Sequence, residues 1–179
     1  ILFRLVGSEM CIRDSVYTQF LNRHGGIEAD VTVTRLSESA YLVVTPAATR
    51  QADEIWLRRH LGKYNVVITD VTSGEGVLAV MGPRAREVMR AVSPNNFDNH
   101  ANPFGTMQHI EIGMGLARVH RVSFVGELGW EVYVSSDMAG HVFETLHQAG
   151  QYHSMKLCGM HVMDSCRTVS YTHLTLPTT

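Results

Sequence analysis

The chain has 179 residues, 45% of them hydrophobic and 18% charged, with a formal net charge of -2. That is the make-up of a globular domain with a sizeable core. A near-neutral chain lacks the basic face of a general nucleic-acid binder, and no apolar run approaches the roughly 20 residues of a membrane-spanning helix.

Residues 1–15, "ILFRLVGSEMCIRDS", carry neither a helical nor a strand period, and they lack the apolar core and small-residue cleavage site of a signal peptide. Residues 169–179, "VSYTHLTLPTT", are rich in threonine. Both ends resemble translated sequencing-adaptor tails, so the domain is expected over 16–168, as a fragment of a longer protein.

The first element is a strand over about Ile27 to Leu36, in which Ala29, Val31 and Val33 share an apolar face. Asp30, Thr32 and Thr34 share the other. Strands disfavour aspartate, and periodicity leaves open whether water or a ligand meets Asp30. "SESA" turns the chain into a second strand, "YLVVT". Thr45 then caps a helix with Pro46 at its first position, a favoured arrangement. This helix is expected to reach about Leu61 and to bury Ala52, Ile55 and Trp56, with Gly62 ending it.

A second unit begins with "NVVITDVTS", turns at Gly74–Gly76, and continues as "VLAVMG". Pro83 starts a helix whose apolar residues Ala85, Val88, Met89 and Val92 recur at helical spacing. "SPNNFDNHANPFG" is a loop by composition. The third unit holds "MQHIEIG", then "ARVHRVSFVGELGWEVYVS" with a hairpin turn around Glu127, then "DMAGHVFETLHQAG". That last segment is a helix burying Met138, Val142, Leu146 and Ala149 and stopped by Gly150. After the turn, Glu131 and Tyr133 share a strand face opposite Trp130, Val132 and Val134. A carboxylate beside a phenol suits a flat, nitrogen-rich ring, and it equally suits an exposed strand face.

A final helix spans about Cys158 to Arg167. Asp164 and Arg167 are three apart there, so Arg167 is either half of a surface ion pair or a planar fork for a carboxylate. The three cysteines, Cys11, Cys158 and Cys166, are too few for a disulfide framework and fit a reducing compartment, the cytosol or the mitochondrial matrix. Cys158, His161 and Cys166 lack the spacing of a metal site, so no metal is expected and the thiols read as buried. Repeated strand–strand–helix units predict an α+β fold, antiparallel sheets with helices on one face. Phosphate-loop and GxSxG motifs are missing from the sequence.

The stretches "LNRHGGIEADVTV", "VMGPRAR", "PFGT", "RVSFVGELGWEVYV" and "GMHVMDSCR" together resemble the aminomethyltransferase family, the T-protein of the glycine cleavage system. They look closer still to the C-terminal domains of dimethylglycine and sarcosine dehydrogenases. The resemblance implies tetrahydrofolate as cofactor and formation of 5,10-methylenetetrahydrofolate. It places Asp30 at the family's catalytic aspartate, Glu131 at the glutamate that grips the pteridine ring, and Arg167 at an arginine that helps hold folate. Tyr133 joins them by strand geometry only. The T-protein has two adjacent aspartates where this chain has Ala29–Asp30, and the glutamate that usually follows the arginine is replaced by Thr168–Val169. The implied partners are folate, a one-carbon donor, and a fused flavin domain carrying FAD or a lipoyl carrier protein. The alternative is a non-catalytic module of the same fold, similar to the regulatory subunit of pyruvate dehydrogenase phosphatase. A folate-binding protein of tRNA modification ranks lower, because its K-G-C-Y-x-G-Q-E motif is missing.

Overall fold

The computed structural model describes residues 11–169, and these divide into two compact units, up to Val71 and from Thr72. The adaptor-like ends lie outside the described residues except for 11–15 and Val169. Antiparallel sheets with helices packed on them make the predicted α+β architecture.

The first unit is a three-stranded antiparallel meander of β1 (Ser15–Leu21), β2 (Ile27–Arg35) and β3 (Tyr41–Val44). The sequence reading assigned no element to β1. Its turn to β2 is built by Asn22, whose Oδ1 accepts from the backbone N–H groups of His24 and Gly26 at 3.0 and 2.9 Å. Gly25 takes φ +82° there, the left-handed conformation that glycine reaches without a Cβ penalty. The predicted apolar face of β2 holds: Ala29, Val31 and Val33 are buried with Phe20.

A 3-10 turn at Ala47–Thr49 leads into α1 (Arg50–His60), later than the cap expected at Thr45. The buried face also differs from expectation. Ala52 and Ile55 are exposed, whereas Asp53 is buried and Trp56 and Leu57 pack on the core. The reason is aromatic: Trp56 stacks flat on Phe20, ring centroids 4.3 Å apart, and that contact sets the rotation of the helix. Asp53 sits on the same side because the Thr49 hydroxyl donates to its carboxylate at 2.7 Å.

Residues 65–71 are irregular, and Val67 is 86% exposed. The run has strand composition but, among the described residues, no partner strand, and composition alone does not make a strand.

The second unit is a four-stranded antiparallel sheet in the order β4-β7-β6-β5, where β4 is Glu75–Met81, β5 Met107–Ile112, β6 Gly115–His120 and β7 Gly129–Ser135. Helices α2 (Ala85–Val92) and α3 (Ala139–Gln151) cover one face. Between them lies a core of Val80, Val88, Met89, Val119, Trp130, Val132, Val142 and Leu146, among others. Helix α4 (Met160–Val169) follows.

Two local expectations change here. The strand before Glu127 stops at His120, because Arg121 stays hydrogen-bonded to the 105–106 segment instead of to β7. Residues 121–128 therefore form a loop rather than a tight hairpin. Gly150 does not stop α3, which runs on to Gln151. It is glycine because a Cβ would come within 2.3 Å of the Met155 side chain. The cysteines, expected to be buried, are all exposed. No helix among the described residues is long and apolar enough to cross a membrane.

Candidate functional site

The face of the second sheet away from α2 and α3 follows from strand parity. Trp130, Val132 and Val134 turn into the core, so Glu131 and Tyr133 must turn the other way. Register puts His120 of β6 opposite Glu131, and Arg118 opposite Tyr133. On β4, Ala79 and Val77 lie opposite the same two residues and leave that side open, both being exposed.

Glu131 and Tyr133 are joined directly. The tyrosine hydroxyl donates to Glu131 Oε2 at 2.6 Å, the short distance of a hydroxyl bonded to an ionised carboxylate. Among the described residues, nothing donates to Oε1, which stays available to an incoming N–H. Burial, and then the negative charge of Glu131, push the Tyr133 hydroxyl well above the ordinary tyrosine range. It stays protonated and stays a donor.

His120 is completely buried, its ring centroid 4.5 Å from that of Tyr133. Burial, followed by the charges of Arg118 and His109, pulls it down to about 4, so at neutral pH it is an uncharged wall behind the pair. Arg118 is paired with Glu75 across the sheet. A small hollow of about 180 Å³ on this face is bordered by Tyr133, Arg118, Glu75 and His109.

Arg167, half-buried on α4, lays its guanidinium over the Phe124 ring at 4.3 Å. That anchors the helix on the 121–128 loop. Asp30 belongs to the first unit. It is half-buried on β2, opposite Gln19 of β1, on the face it shares with Thr32 and Thr34. That face is not plainly solvated, since Thr34 is fully buried and its hydroxyl bonds that of Ser15 at 2.8 Å. Of the four residues singled out in the sequence, Glu131 and Tyr133 are thus in contact, Arg167 is seated on the neighbouring loop of the same unit, and Asp30 stands in the other unit.

Sequence reasoning missed His120, Arg118 and Glu75. The signal was present: "ARVH" alternates, and pairing it with "GWEVY" in antiparallel register sets His120 and Arg118 beside Glu131 and Tyr133. The break after His120 hid that register.

The model of the GCVT N-terminal domain matches residues 7–174. The chain is 42% identical over 154 residues to a 4-methylaminobutanoate oxidase (formaldehyde-forming) of Paenarthrobacter nicotinovorans, covering 86% of this chain and 19% of that one. It is 30% identical over 166 residues to the mitochondrial sarcosine dehydrogenase of Mus musculus, covering 84% and 18%. Among solved structures, the glycine cleavage system aminomethyltransferase T of Bartonella henselae superposes with a TM-score of 0.72 at 25% identity, over 89% of this chain and 41% of that one. The chain thus spans about a fifth of the two oxidising relatives and two fifths of the aminomethyltransferase.

Proposed function

The chain belongs to the GCVT N-terminal domain family, and on that premise we propose that it is a tetrahydrofolate-dependent one-carbon transfer module, probed best as the acceptor half of an amine-oxidising flavoprotein. The observation that carries this reading is the Glu131–Tyr133 pair, with one carboxylate oxygen held by the phenol and the other open. A pterin ring presents a flat edge of N–H donors, and an oriented acceptor with an aromatic neighbour fits such an edge. The names of two similar proteins, a formaldehyde-forming oxidase and a sarcosine dehydrogenase, favour an N-methylamine as the source of carbon.

In this reading Glu131 accepts from the pterin N–H groups, Tyr133 fixes the rotamer of Glu131, and neutral His120 keeps water from behind them. Arg167, seated over Phe124, takes the folate-holding role that the resemblance gives it. Asp30, on a rigid strand, orients the reacting nitrogens, takes up a proton, or stabilises positive charge as it develops. Tetrahydrofolate would supply two nitrogens, N5 and N10, whose condensation with formaldehyde gives 5,10-methylenetetrahydrofolate, the carbonyl oxygen leaving as water with the two N–H protons. Holding both nitrogens at one carbon is a proximity effect. FAD belongs in this scheme to the oxidising part of a longer protein.

The test is tetrahydrofolate binding together with formaldehyde capture above the spontaneous rate. Asp30→Asn is expected to keep binding within a few-fold and to lower capture at least about a hundredfold, the usual size of an acid–base contribution. Binding with no capture in either protein identifies a non-catalytic folate module instead. Undiminished capture by Asp30→Asn removes Asp30 from the chemistry.

A further inference from the structure

A second hollow in the same unit holds polar groups that the folate reading leaves unused. Its volume is about 390 Å³, and Phe104, Arg121, Ser123, Glu127 and Leu128 line it. Arg121 gives its Nη1–H to the Asn102 carbonyl at 2.6 Å, and its guanidinium lies 5.9 Å from the centre of the Trp130 ring. Its Nε is buried and has no acceptor, and the same is true of the Ser123 hydroxyl oxygen. Arg86 stands at the same 5.9 Å from the Trp130 ring, gives Nη2–H to Asn99 Oδ1 at 2.6 Å, and also has a buried Nε with no acceptor. Among the described residues no carboxylate pairs with either arginine.

Buried donors are normally satisfied, so the two orphans on residues lining this hollow, with a third on Arg86 beside the same indole, call for an explanation. Two arginines flanking one indole also repel each other, and the charge of Arg86, after burial, makes Arg121 less basic. An acceptor carrying negative charge would relieve both conditions. The hollow is of ordinary ligand size. The carboxylate of Glu127 in its wall disfavours a dianion such as phosphate. The exposed Phe104 ring offers an apolar surface to a carbon skeleton.

We propose that this hollow is a binding site for a small organic monocarboxylate, whose oxygens accept from Arg121 Nε–H and Ser123 Oγ–H. The site is independent of tetrahydrofolate and does not use Glu131 or Asp30.

The experiment titrates the ¹⁵N-labelled full chain with propionate and, separately, with inorganic phosphate, at ionic strength held constant with chloride and with no folate present. The indole N–H of Trp130, bonded to Asn102 Oδ1 at 2.5 Å, reports the site. The indole of Trp56 in the first unit is the internal control, assigned with Trp56→Phe. Propionate is expected to shift the Trp130 signal saturably and more tightly than phosphate, leaving Trp56 still. Ser123→Ala is expected to weaken propionate about tenfold or more while leaving stability unchanged or raised, because the hydroxyl it removes has no partner. Arg121→Gln is expected to abolish the shift. No saturable shift, phosphate tighter than propionate, or Ser123→Ala binding as well as wild type each overturns the proposal. Glu131→Gln leaves this titration unchanged, so its result stands apart from that of the folate assay.

Discussion

Replacing Tyr133 by Phe removes one oxygen and leaves the ring against His120. The lost bond is a charge-assisted donation to Glu131 Oε2 at 2.6 Å. Bonds to charged groups contribute about 1.5–3 kcal/mol. Glu131 is half-buried, so water replaces part of what is lost, and about 1.5 kcal/mol of stability is expected to go. That lowers Tm by roughly 3–6 °C in a chain of this size. Releasing the carboxylate also restores rotamer freedom that a ligand must then remove, at about 1 kcal/mol, or roughly fivefold in tetrahydrofolate affinity. A third signature lies at high pH. The native hydroxyl ionises less readily than an unfolded tyrosine, so its contribution is complete below about pH 10 and declines above it, as the unfolded chain ionises first. Tyr133→Phe should flatten that alkaline decline. Urea unfolding at pH 8 and pH 10.5, with equilibrium binding of tetrahydrofolate, measures all three. Wild-type stability and affinity in the variant would refute the claim that the phenol holds Glu131 in place.

His120 gives the opposite pH dependence. Its native value of about 4 lies below the ordinary 6.5, so its contribution is present above pH 6.5 and lost as pH falls toward 4, about 3 kcal/mol in all. His120→Asn should remove that part of the acid limb, seen by comparing urea midpoints at pH 7 and 4.5; an unchanged slope would show that the imidazole is not desolvated. Trp130→Phe deletes the indole N–H that Asn102 Oδ1 accepts, in a place where both residues are fully or nearly fully buried. The stranded acceptor and the lost volume should together cost about 2–4 kcal/mol by denaturant unfolding, and a cost under 1 kcal/mol would contradict that packing. Gly150→Ala forces a methyl onto Met155 and should destabilise by about 1–3 kcal/mol rather than stabilise the helix, with thermal unfolding deciding the sign.

Parity was the most readable signal in the sequence. The alternation of β2 and β7 identified both apolar faces, and with them the common side of Glu131 and Tyr133. What parity could not supply was the neighbour. His120 and Arg118 reach the site only through the register of β6 against β7, which is set by long-range hydrogen bonds. The failures have the same origin. The 65–71 run has strand residues without a ladder, and α1 turned its tryptophan rather than Ala52 and Ile55 inward because Phe20 of an unassigned strand was waiting for it. Gly150 read as a helix stop because local rules know nothing of Met155. The family resemblance rested on motifs scattered along most of the chain, which is why it was legible before the fold was.

The most direct measurement is an NMR titration of the full chain with tetrahydrofolate, carried to millimolar concentration and repeated on Glu131→Gln. Saturable shifts at the backbone amides of Glu131, Tyr133 and His120, weakened at least tenfold in the variant, are the predicted result. Shifts that avoid β7, or an affinity that Glu131→Gln leaves intact, would contradict the reading of this face as the seat of the pterin.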